Sequence, residues 1–237
     1  MEISVSFGEA SGAGRTAVCG KDGADTTDSS ADLKDVLHIL LTHLTPRDAR
    51  ARARESELLA QRCAELSNTP TLLLGDLNTL SPLDDTHYDA DKIVGRVLDG
   101  DARLRKKFLE NPDGADYCES TLAVATPGQA SRVARIDYRP MQLLLSAGIH
   151  DLSWYAAEPN DGGDVGCGAE RKPKFQATVG MTNVRDDNMH AAAMRLDYIL
   201  GNRAVCRYSK GPAYVVRDEE TLEISDHLPV LMHLAER

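Results

Sequence analysis

The most constraining stretch of this sequence is residues 71–78, Thr-Leu-Leu-Leu-Gly-Asp-Leu-Asn. Three leucines in a row, bounded by polar residues, are short enough for one buried β-strand. If the strand stays extended through Asn78, then Asp76 and Asn78 point to the same side, because side chains two residues apart share a face. They would stand at the carboxyl end of the strand, where α/β sheets form ligand crevices. Asp and Asn also begin turns, so the stretch alone equally allows a strand that simply turns.

Length and charge limit the class of protein. The chain has 237 residues, 42% hydrophobic and 27% charged, which is ordinary for a globular protein with a sizeable core. Its formal net charge of −10 argues against a protein that holds nucleic acid by bulk electrostatic attraction. That charge does not exclude an enzyme that acts on phosphate esters. No apolar stretch is long enough to predict a membrane span.

The cysteines and the N-terminus predict an intracellular location, cytoplasmic or nuclear. The five cysteines are odd in number and form no Cys-x-x-Cys pair. We therefore expect reduced thiols, with neither a disulfide framework nor a zinc site. The first seven residues, Met-Glu-Ile-Ser-Val-Ser-Phe, lack the basic start and the apolar core of a signal peptide.

Two further predicted strands carry a polar side chain. Residues 36–43 alternate as a strand that ends in His43, and the simpler interpretation is a strand-terminal histidine bonded only to backbone. Asp197 stands among apolar residues of another strand, where an unpaired carboxylate costs on the order of several kcal/mol of desolvation. Arg195, two residues away, is the candidate partner if the role of Asp197 is structural.

An Asp-His pair, Asp226 and His227, precedes the last apolar stretch of the chain, residues 228–232. Such a pair is common by chance. A pair that lies between Ser and x-Pro-Val at the start of a final strand is much less so, and it is a candidate site.

Two helices are predicted between these strands. The first covers residues 46–66, and its arginines, Arg52 among them, are interleaved with acids, which favours a solvated face over a phosphate-binding patch. The second covers residues 90–109, with Lys107 and its basic neighbours facing outward.

The N-terminal segment has a different composition from the rest. Residues 1–31 are rich in Gly, Ser, Thr and Asp, so we predict an irregular segment with one possible short strand at residues 15–19.

Four short motifs occur in one order along the chain: Thr42-His43-Leu44, Gly75-Asp76-Leu77-Asn78, Arg195-Leu196-Asp197-Tyr198-Ile199 and Ser225-Asp226-His227-Leu228-Pro229-Val230. Together they resemble the motifs of the endonuclease/exonuclease/phosphatase (DNase I-like) superfamily. The resemblance covers roughly residues 36–234 and is far more specific than any single motif. It implies an α/β (α+β) fold, a four-layer sandwich of two packed β-sheets flanked by helices and incomplete on its N-terminal side. Residues 32–237 would be the C-terminal part of such a domain.

The resemblance implies a catalytic pair. His227 would be the general base that activates water, and Asp197 would orient it. A positioned histidine of this kind contributes on the order of 10²–10⁴-fold to a rate.

The resemblance also implies a phosphate site and a metal. Asp76 and Asn78 would position water and phosphate, and His43 would contact the phosphate or assist the leaving group. Asp226 and Asp76 would be metal ligands, and their oxygen donors suit Mg²⁺ or Mn²⁺. The implied substrate is a phosphate ester of nucleic acid, a lipid headgroup or a sugar; the sequence predicts no oligomeric state.

The sequence departs from the superfamily pattern before His43. Members carry an opening strand that ends in Asn and a later strand that ends in the Glu that is the main metal ligand, and neither is recognisable here. Only 42 residues precede His43, whereas that half of the fold needs on the order of 100. Glu2 and Glu9 are the only glutamates among them, and Glu2 is a poor candidate for a stub of the missing motif. We therefore expect the C-terminal part of the fold.

Two functional hypotheses follow. The first is a divalent-metal-dependent phosphoesterase that hydrolyses phosphodiesters or phosphomonoesters with metal- and His-activated water. The second is a non-catalytic remnant or binding module of the same fold that lacks the metal-binding Glu. The second predicts poor solubility or dependence on a partner, because a two-sheet core that lacks a part exposes apolar surface and unpaired strand edges.

Overall fold

The computed structural model describes residues 2–6, 36–87, 93–95, 97, 102–109, 135–155, 175–184 and 192–234. Five strands within these ranges are β1 Glu2–Ser6, β2 Val36–His43, β3 Thr71–Asp76, β4 His150–Asp151 and β5 Asp197–Gly201. They form one mixed sheet in the order β1-β2-β3-β5-β4, in which only the β2–β3 pair is parallel. Two shorter strands, β6 Tyr214–Val215 and β7 Val230–Leu231, pair with each other as an antiparallel ribbon.

The helices of the described ranges are α1 Ala49–Glu65, α2 Ala102–Phe108, α3 Arg139–Ser146, α4 Arg203–Cys206 and α5 Thr221–Ile224, together with a 3₁₀ helix at Pro82–His87. Helix α1 begins where the Asp48 side chain accepts hydrogen bonds from the backbone N–H groups of Arg50 and Ala51, a typical N-cap. The prediction of a helix at 46–66 is therefore confirmed to within a few residues. The predicted helix at 90–109 is described in part, at residues 93–95, at 97 and in α2.

Apolar side chains cover both faces of the central sheet. On one face the sheet packs against α1 and α3, with the buried residues Leu40, Leu44, Cys63, Leu73, Leu77, Met141, Leu144, Ile149, Tyr198 and Leu200. On the other face it packs against α4 and the β6–β7 ribbon, with Leu37, Leu72, Leu152, Ile199, Val205, Cys206 and Ala213. A strand buried on both faces reads as a continuous apolar run, which explains the three leucines of β3.

The α/β class predicted from the sequence is confirmed. The described residues form one five-stranded sheet and one two-stranded ribbon. The predicted four-layer sandwich of two packed sheets stays a prediction. Within the N-terminal segment 1–31, residues 2–6 form β1 and pair antiparallel with β2, as the period-two sequence Glu-Ile-Ser-Val-Ser allows. The predicted strand at residues 15–19 lies outside the described residues.

Arg52 corrects the prediction of a solvated arginine face on α1. Its side chain is completely buried, and its guanidinium donates hydrogen bonds to the backbone carbonyls of Thr45 and Lys107. Leu58, an apolar residue of the same helix, is 59% exposed. Arg52 thus faces inward and joins the segment before α1 to the end of α2.

The described residues also bear on two general predictions, which concern membrane spans and cysteine thiols. No helix within them is both long enough and apolar enough to cross a membrane. Cys63 and Cys206 are buried free thiols, and burial raises the pKa of each to about 11. A thiol with so high a pKa carries little reactive thiolate near neutral pH, so both cysteines pack as small apolar residues.

Candidate functional site

Three of the predicted site residues lie in one row across the sheet. His43 at the end of β2 is opposite Asp76 at the end of β3, and Asp76 is opposite Asp197 at the start of β5. Neighbouring strands are about 4.8 Å apart, so the row spans roughly 10 Å. His43 Nε2 lies 3.5 Å from Asp76 Oδ2, and the histidine side chain is 69% exposed. The row is therefore an open polar edge at the carboxyl ends of the two parallel strands.

Gly75 allows β2 and β3 to approach each other at this edge. It has a φ of 138°, and a Cβ atom there would lie only 1.8 Å from the backbone oxygen of Thr42. No other residue fits such a conformation and such a contact. The glycine of the Gly-Asp-x-Asn motif is thus a packing requirement that brings the ends of the two strands together.

His227 and Asp197 form the closest polar pair of the site. The histidine Nδ1 lies 2.8 Å from Asp197 Oδ2, and both side chains are partly buried. A carboxylate on Nδ1 favours the tautomer that is protonated there, which makes Nε2 the proton acceptor. The hydrogen bond to Asp197 raises the pKa of His227, burial opposes it, and the negative charges of Asp197, Asp76 and Asp226 add to the rise.

Arg195 is not the partner of Asp197, so the structural alternative for that carboxylate is wrong. The Arg195 guanidinium turns instead to Asp84 and Asp151, with hydrogen bonds of 2.5–3.1 Å to both. The three side chains are almost completely buried, and Trp154 Nε1 donates to Asp84 Oδ1 at 2.7 Å. Arg195 and Asp197, two residues apart, thus belong to two separate polar groups.

Thr178, which sequence reasoning missed, connects the two members of the His227–Asp197 pair. Its hydroxyl oxygen accepts the N–H groups of Leu196 at 3.0 Å and Asp197 at 3.2 Å. Its backbone oxygen accepts the N–H of Leu228, the residue after His227, at 2.8 Å. Thr178 is completely buried. No motif contains it, because it lies in a segment without regular structure that only the fold brings to the site.

Asn78 does not continue the strand, so the expectation that it shares a face with Asp76 by period-two alternation is wrong. Strand β3 ends at Asp76, and Asn78 adopts a φ of 48°, a left-handed conformation that Asn tolerates. Its N–H donates to Asp76 Oδ1 at 2.8 Å, and its side-chain Nδ2 donates to Leu44 O at 2.9 Å. The buried Asn78 therefore ties the turn after β3 to the end of β2 and holds the Asp76 carboxylate.

Lys107, which was predicted to point outward, is partly buried, and its Nζ lies 5.4 Å from the centre of the Phe108 ring. It is the penultimate residue of α2, and its backbone oxygen accepts a hydrogen bond from Arg52. Burial lowers the pKa of Lys107, while the charges of Asp76, Asp197 and Asp226 oppose that shift. In turn, burial and the neighbouring Asp197 raise the pKa of Asp76, and the positive charge of Lys107 partly offsets this.

The predicted metal ligands, Asp76 and Asp226, are two carboxylates. Across the described ranges, no three His, Cys, Asp or Glu side chains come together as a metal-binding group. Mg²⁺ is nevertheless often held by one or two carboxylates, with water and phosphate oxygens as its other ligands. Asp76 and Asp226 both act electrostatically on His227, and a Mg²⁺ or Mn²⁺ site at these two carboxylates stays a prediction.

Glu2 lies along the sheet from this edge. It is opposite Leu40 in the β1–β2 register, three residues before His43 and thus about 10 Å away along the strand. Strand β1 runs away from the site, since Ser6 pairs with Val36. This strand therefore does not end at the site as a strand carrying a metal-binding Glu would.

Comparison with known proteins gives similarity to solved structures only. No protein-family model and no curated protein matches the sequence. An AP endonuclease from Archaeoglobus fulgidus matches with 16% identity and a TM-score of 0.49, over 84% of this chain and 61% of the other. The 3'-5' exonuclease NExo from Neisseria meningitidis matches with 16% identity and a TM-score of 0.44, over 84% and 61%. The APE2 catalytic domain from Xenopus laevis matches with 18% identity and a TM-score of 0.41, over 84% and 50%.

These three proteins are among the solved structures to which this chain is similar. The chain spans about half to three-fifths of their length. With fewer than one residue in five identical and TM-scores below 0.5, these similarities do not assign an activity or a substrate to this chain.

Proposed function

We propose that this chain is a phosphoesterase that hydrolyses phosphate esters with a water molecule activated by His227. The observation that carries the proposal is the 2.8 Å contact between His227 Nδ1 and Asp197 Oδ2, in a site that also contains the charges of Asp76 and Asp226. A histidine oriented by a carboxylate and placed beside further oxygen donors is the arrangement that water activation requires.

His227 would take the proton of the attacking water on Nε2. Asp197 would hold the ring in the required tautomer and stabilise the imidazolium that forms. Thr178 would keep the two residues aligned, because it binds the backbone on both sides of the pair. A base with a pKa near the working pH transfers protons most efficiently, and a raised His227 pKa places that optimum on the alkaline side of 6.5.

The cofactor proposed is Mg²⁺ or Mn²⁺, with Asp76 and Asp226 as its protein ligands. When bound, the ion would polarise a phosphoryl oxygen. Asn78 would act through Asp76, since its N–H holds that carboxylate. The exposed His43 would contact the phosphate or assist the leaving group, as its 3.5 Å distance from Asp76 allows. The phosphate ester could belong to nucleic acid, a lipid headgroup or a sugar.

The direct test is hydrolysis of bis(p-nitrophenyl) phosphate, with and without Mg²⁺ or Mn²⁺. We expect metal-stimulated hydrolysis and a loss on the order of 10²-fold or more in His227→Ala. The matched control is His233→Ala, an exposed histidine that contacts Tyr214, and it should retain the wild-type rate. An unchanged rate in His227→Ala, or hydrolysis that needs no metal, would refute the proposal.

The second hypothesis, a non-catalytic binding module, has its own support. The described residues form no three-donor metal group. A module of this kind would bind a phosphodiester at the open edge of the sheet without hydrolysing it. Titration of a fluorescent oligonucleotide or a sugar phosphate distinguishes the two hypotheses: saturable binding without turnover, lost in His43→Ala, favours the module.

A further inference from the structure

Strand β2 ends at His43, and the next residue, Leu44, is joined to the end of β3 and the turn that follows it. Leu44 N donates to Asp76 O at 2.9 Å, and Leu44 O accepts a hydrogen bond from Asn78 Nδ2 at 2.9 Å. Both backbone polar groups of this buried residue are thus bonded on the side of β3. The end of β2 is therefore tied to the strand that carries Asp76.

Helix α1 holds Thr45, the residue after Leu44, from the other side. The Glu55 carboxylate accepts a hydrogen bond from Thr45 N at 2.8 Å with one oxygen and from the Thr45 hydroxyl at 2.5 Å with the other. Arg52, which is completely buried, donates from Nη1 to Thr45 O at 2.9 Å. The backbone N–H, the backbone oxygen and the hydroxyl of Thr45 are therefore all bonded to side chains of α1.

Arg52 and Glu55 can share one target because residues three apart lie on the same side of a helix. Hydrogen bonds to a carboxylate are shorter and roughly twice as strong as those between neutral groups. Two of them to Thr45 fix both the direction of its backbone and the orientation of its side chain. Glu57, two residues further along α1, is exposed. The helix thus presents one acid to the end of β2 and another to the solvent.

We propose that Glu55 is a positioning residue that sets the place of His43 at the site by holding Thr45. The inference rests on the proposed function, in which His43 contacts the phosphate or assists the leaving group. His43 forms the last pair of β2 with β3, opposite Asp76. Its side chain is 69% exposed, so packing does not hold the ring. A fixed exit of the chain from β2 keeps this last pair from fraying and keeps His43 beside Asp76.

The contact from Glu55 should matter only as long as His43 is present. Displacement of a catalytic group by about 1 Å can reduce a rate by as much as about 10²-fold, and one hydrogen bond to a charged group is worth about tenfold. We therefore expect Glu55→Ala to lower kcat/KM about tenfold in the wild-type background. In the His43→Gln background the same change should lower it by less than about twofold.

The experiment is a double-mutant cycle on the full chain, with bis(p-nitrophenyl) phosphate and Mn²⁺. It compares kcat/KM of the wild type, Glu55→Ala, His43→Gln and the double variant. Glu55→Gln keeps an oxygen that accepts from Thr45 N and should restore most of the wild-type rate. The matched control is Glu57→Ala, which removes the same charge from an exposed position of α1 and should change kcat/KM by less than about twofold. Equal losses from Glu55→Ala in both backgrounds would overturn the role of Glu55, because independent effects add.

A second measurement needs no turnover and separates this inference from the proposed function. The ¹³C NMR resonance of the His43 ring is assigned by its absence from His43→Gln. It should move in Glu55→Ala and stay in place in Glu55→Gln and Glu57→Ala. An unmoved resonance in Glu55→Ala, or an equal movement in Glu55→Gln, would overturn the role of Glu55.

Hydrolysis that is absent from every variant would refute the phosphoesterase, and the resonance of His43 would still decide the role of Glu55. If Glu55→Ala does not fold, Thr45→Val takes its place in both measurements. That variant removes only the hydroxyl that donates to Glu55 and leaves the Thr45 backbone bonds to Glu55 and Arg52 in place.

Discussion

The charges of carboxylates act on both Arg195 and Lys107, yet the two basic residues differ in burial and in pairing. Arg195 is 3% exposed and forms two-pronged contacts with Asp84 and Asp151, which are completely buried at the side chain. Lys107 is partly exposed, and the negative charges of Asp76, Asp197 and Asp226 act on it without a direct ion pair being described. With histidines neutral, the first group has a net charge of −1 and the second a net charge of −2. The first group is closed, and the second is left open and under-neutralised.

The difference follows from the chemistry of the two cations. The planar guanidinium of Arg has five donors in a fixed fork and matches two carboxylates at once, whereas the ammonium of Lys is a compact charge on a flexible stem. Burial would lower the pKa of Arg195, but Asp151, Tyr198 and Asp84 outweigh it and raise that pKa. Arg195 therefore stays charged in the core, and the larger net negative charge is found at the open site, where a ligand can use it.

The largest expected effect is the loss of stability when the Arg195 cation is removed from its buried group with Asp84 and Asp151. Arg195→Met would leave the Asp84 and Asp151 carboxylates buried without their cation, which costs about 3–5 kcal/mol of unfolding free energy. Chemical denaturation at pH 7 measures this loss. Arg203→Met is the control, because Arg203 is exposed on α4, and it should change stability by less than about 0.5 kcal/mol. Equal stability of the two variants would mean that the Arg195 group is not a structural centre.

Asp197→Asn tests whether Asp197 sets the pKa of His227 at the open site, by its effect on the pH dependence of the rate. The Asp197 hydrogen bond is the main cause of the raised His227 pKa, so a neutral partner should move the acid limb of the rate profile to lower pH. The rate at the plateau should fall on the order of 10²-fold, because the ring loses its orientation. The profile of kcat/KM against pH, recorded from pH 5 to 9, measures both changes. An unshifted acid limb would show that Asp197 does not set the pKa of His227.

The same pair predicts a dependence of stability on pH. A histidine whose pKa is raised in the folded state adds stability below its unfolded pKa of about 6.5, and this stability is lost as pH rises through the folded pKa. The difference in unfolding free energy between wild type and Asp197→Asn should therefore be larger at pH 5.5 than at pH 9. A difference that grows with pH would contradict the assigned direction of the shift.

The sequence predicted the parts of the site whose chemistry and local pattern coincide. The strand that ends in Asp76 follows from the leucine run, and the motif order resembles a superfamily in which the Asp197 and His227 motifs belong to one site. The partner of Asp197 could not be chosen from the sequence. Arg195 lies only two residues from Asp197 along the chain. In the fold it pairs instead with Asp84, 111 residues away, and with Asp151.

The misses share one physical cause, which is that a helix or turn is oriented by its tertiary contacts. Lys107 and Lys106 are adjacent basic residues with no local feature that distinguishes them, yet Lys106 is exposed and Lys107 is partly buried. Asn78 was predicted as an extended residue, but its bond to Leu44 O favours the left-handed turn. Gly75 is a signal that could have been used, since a glycine inside an apolar strand often marks a close backbone approach.

Thr178→Val should have a moderate effect on both stability and the site. The variant removes the acceptor of the Leu196 and Asp197 N–H groups, and buried donors without partners cost about 1–3 kcal/mol. Because Asp197 then loses its alignment, the pKa of His227 should fall towards 6.5, which NMR titration measures. Thr178→Ser keeps the hydroxyl and should retain the wild-type pKa. A stability loss with no change in that pKa would make Thr178 a structural residue only.

The smallest expected change in stability is that of His43→Gln, which decides between the two interpretations of this histidine. A strand-terminal histidine needed for packing would lose more than about 1 kcal/mol on substitution, whereas exposed side chains change stability by less than about 0.5 kcal/mol. His43 is 69% exposed and lies 3.5 Å from Asp76, so we expect the smaller value in chemical denaturation. If it contacts phosphate, the same variant should lower kcat/KM about tenfold, the worth of one hydrogen bond to a charged group. Unchanged kinetics with a large stability loss would mean that His43 has a structural role and does not contact phosphate.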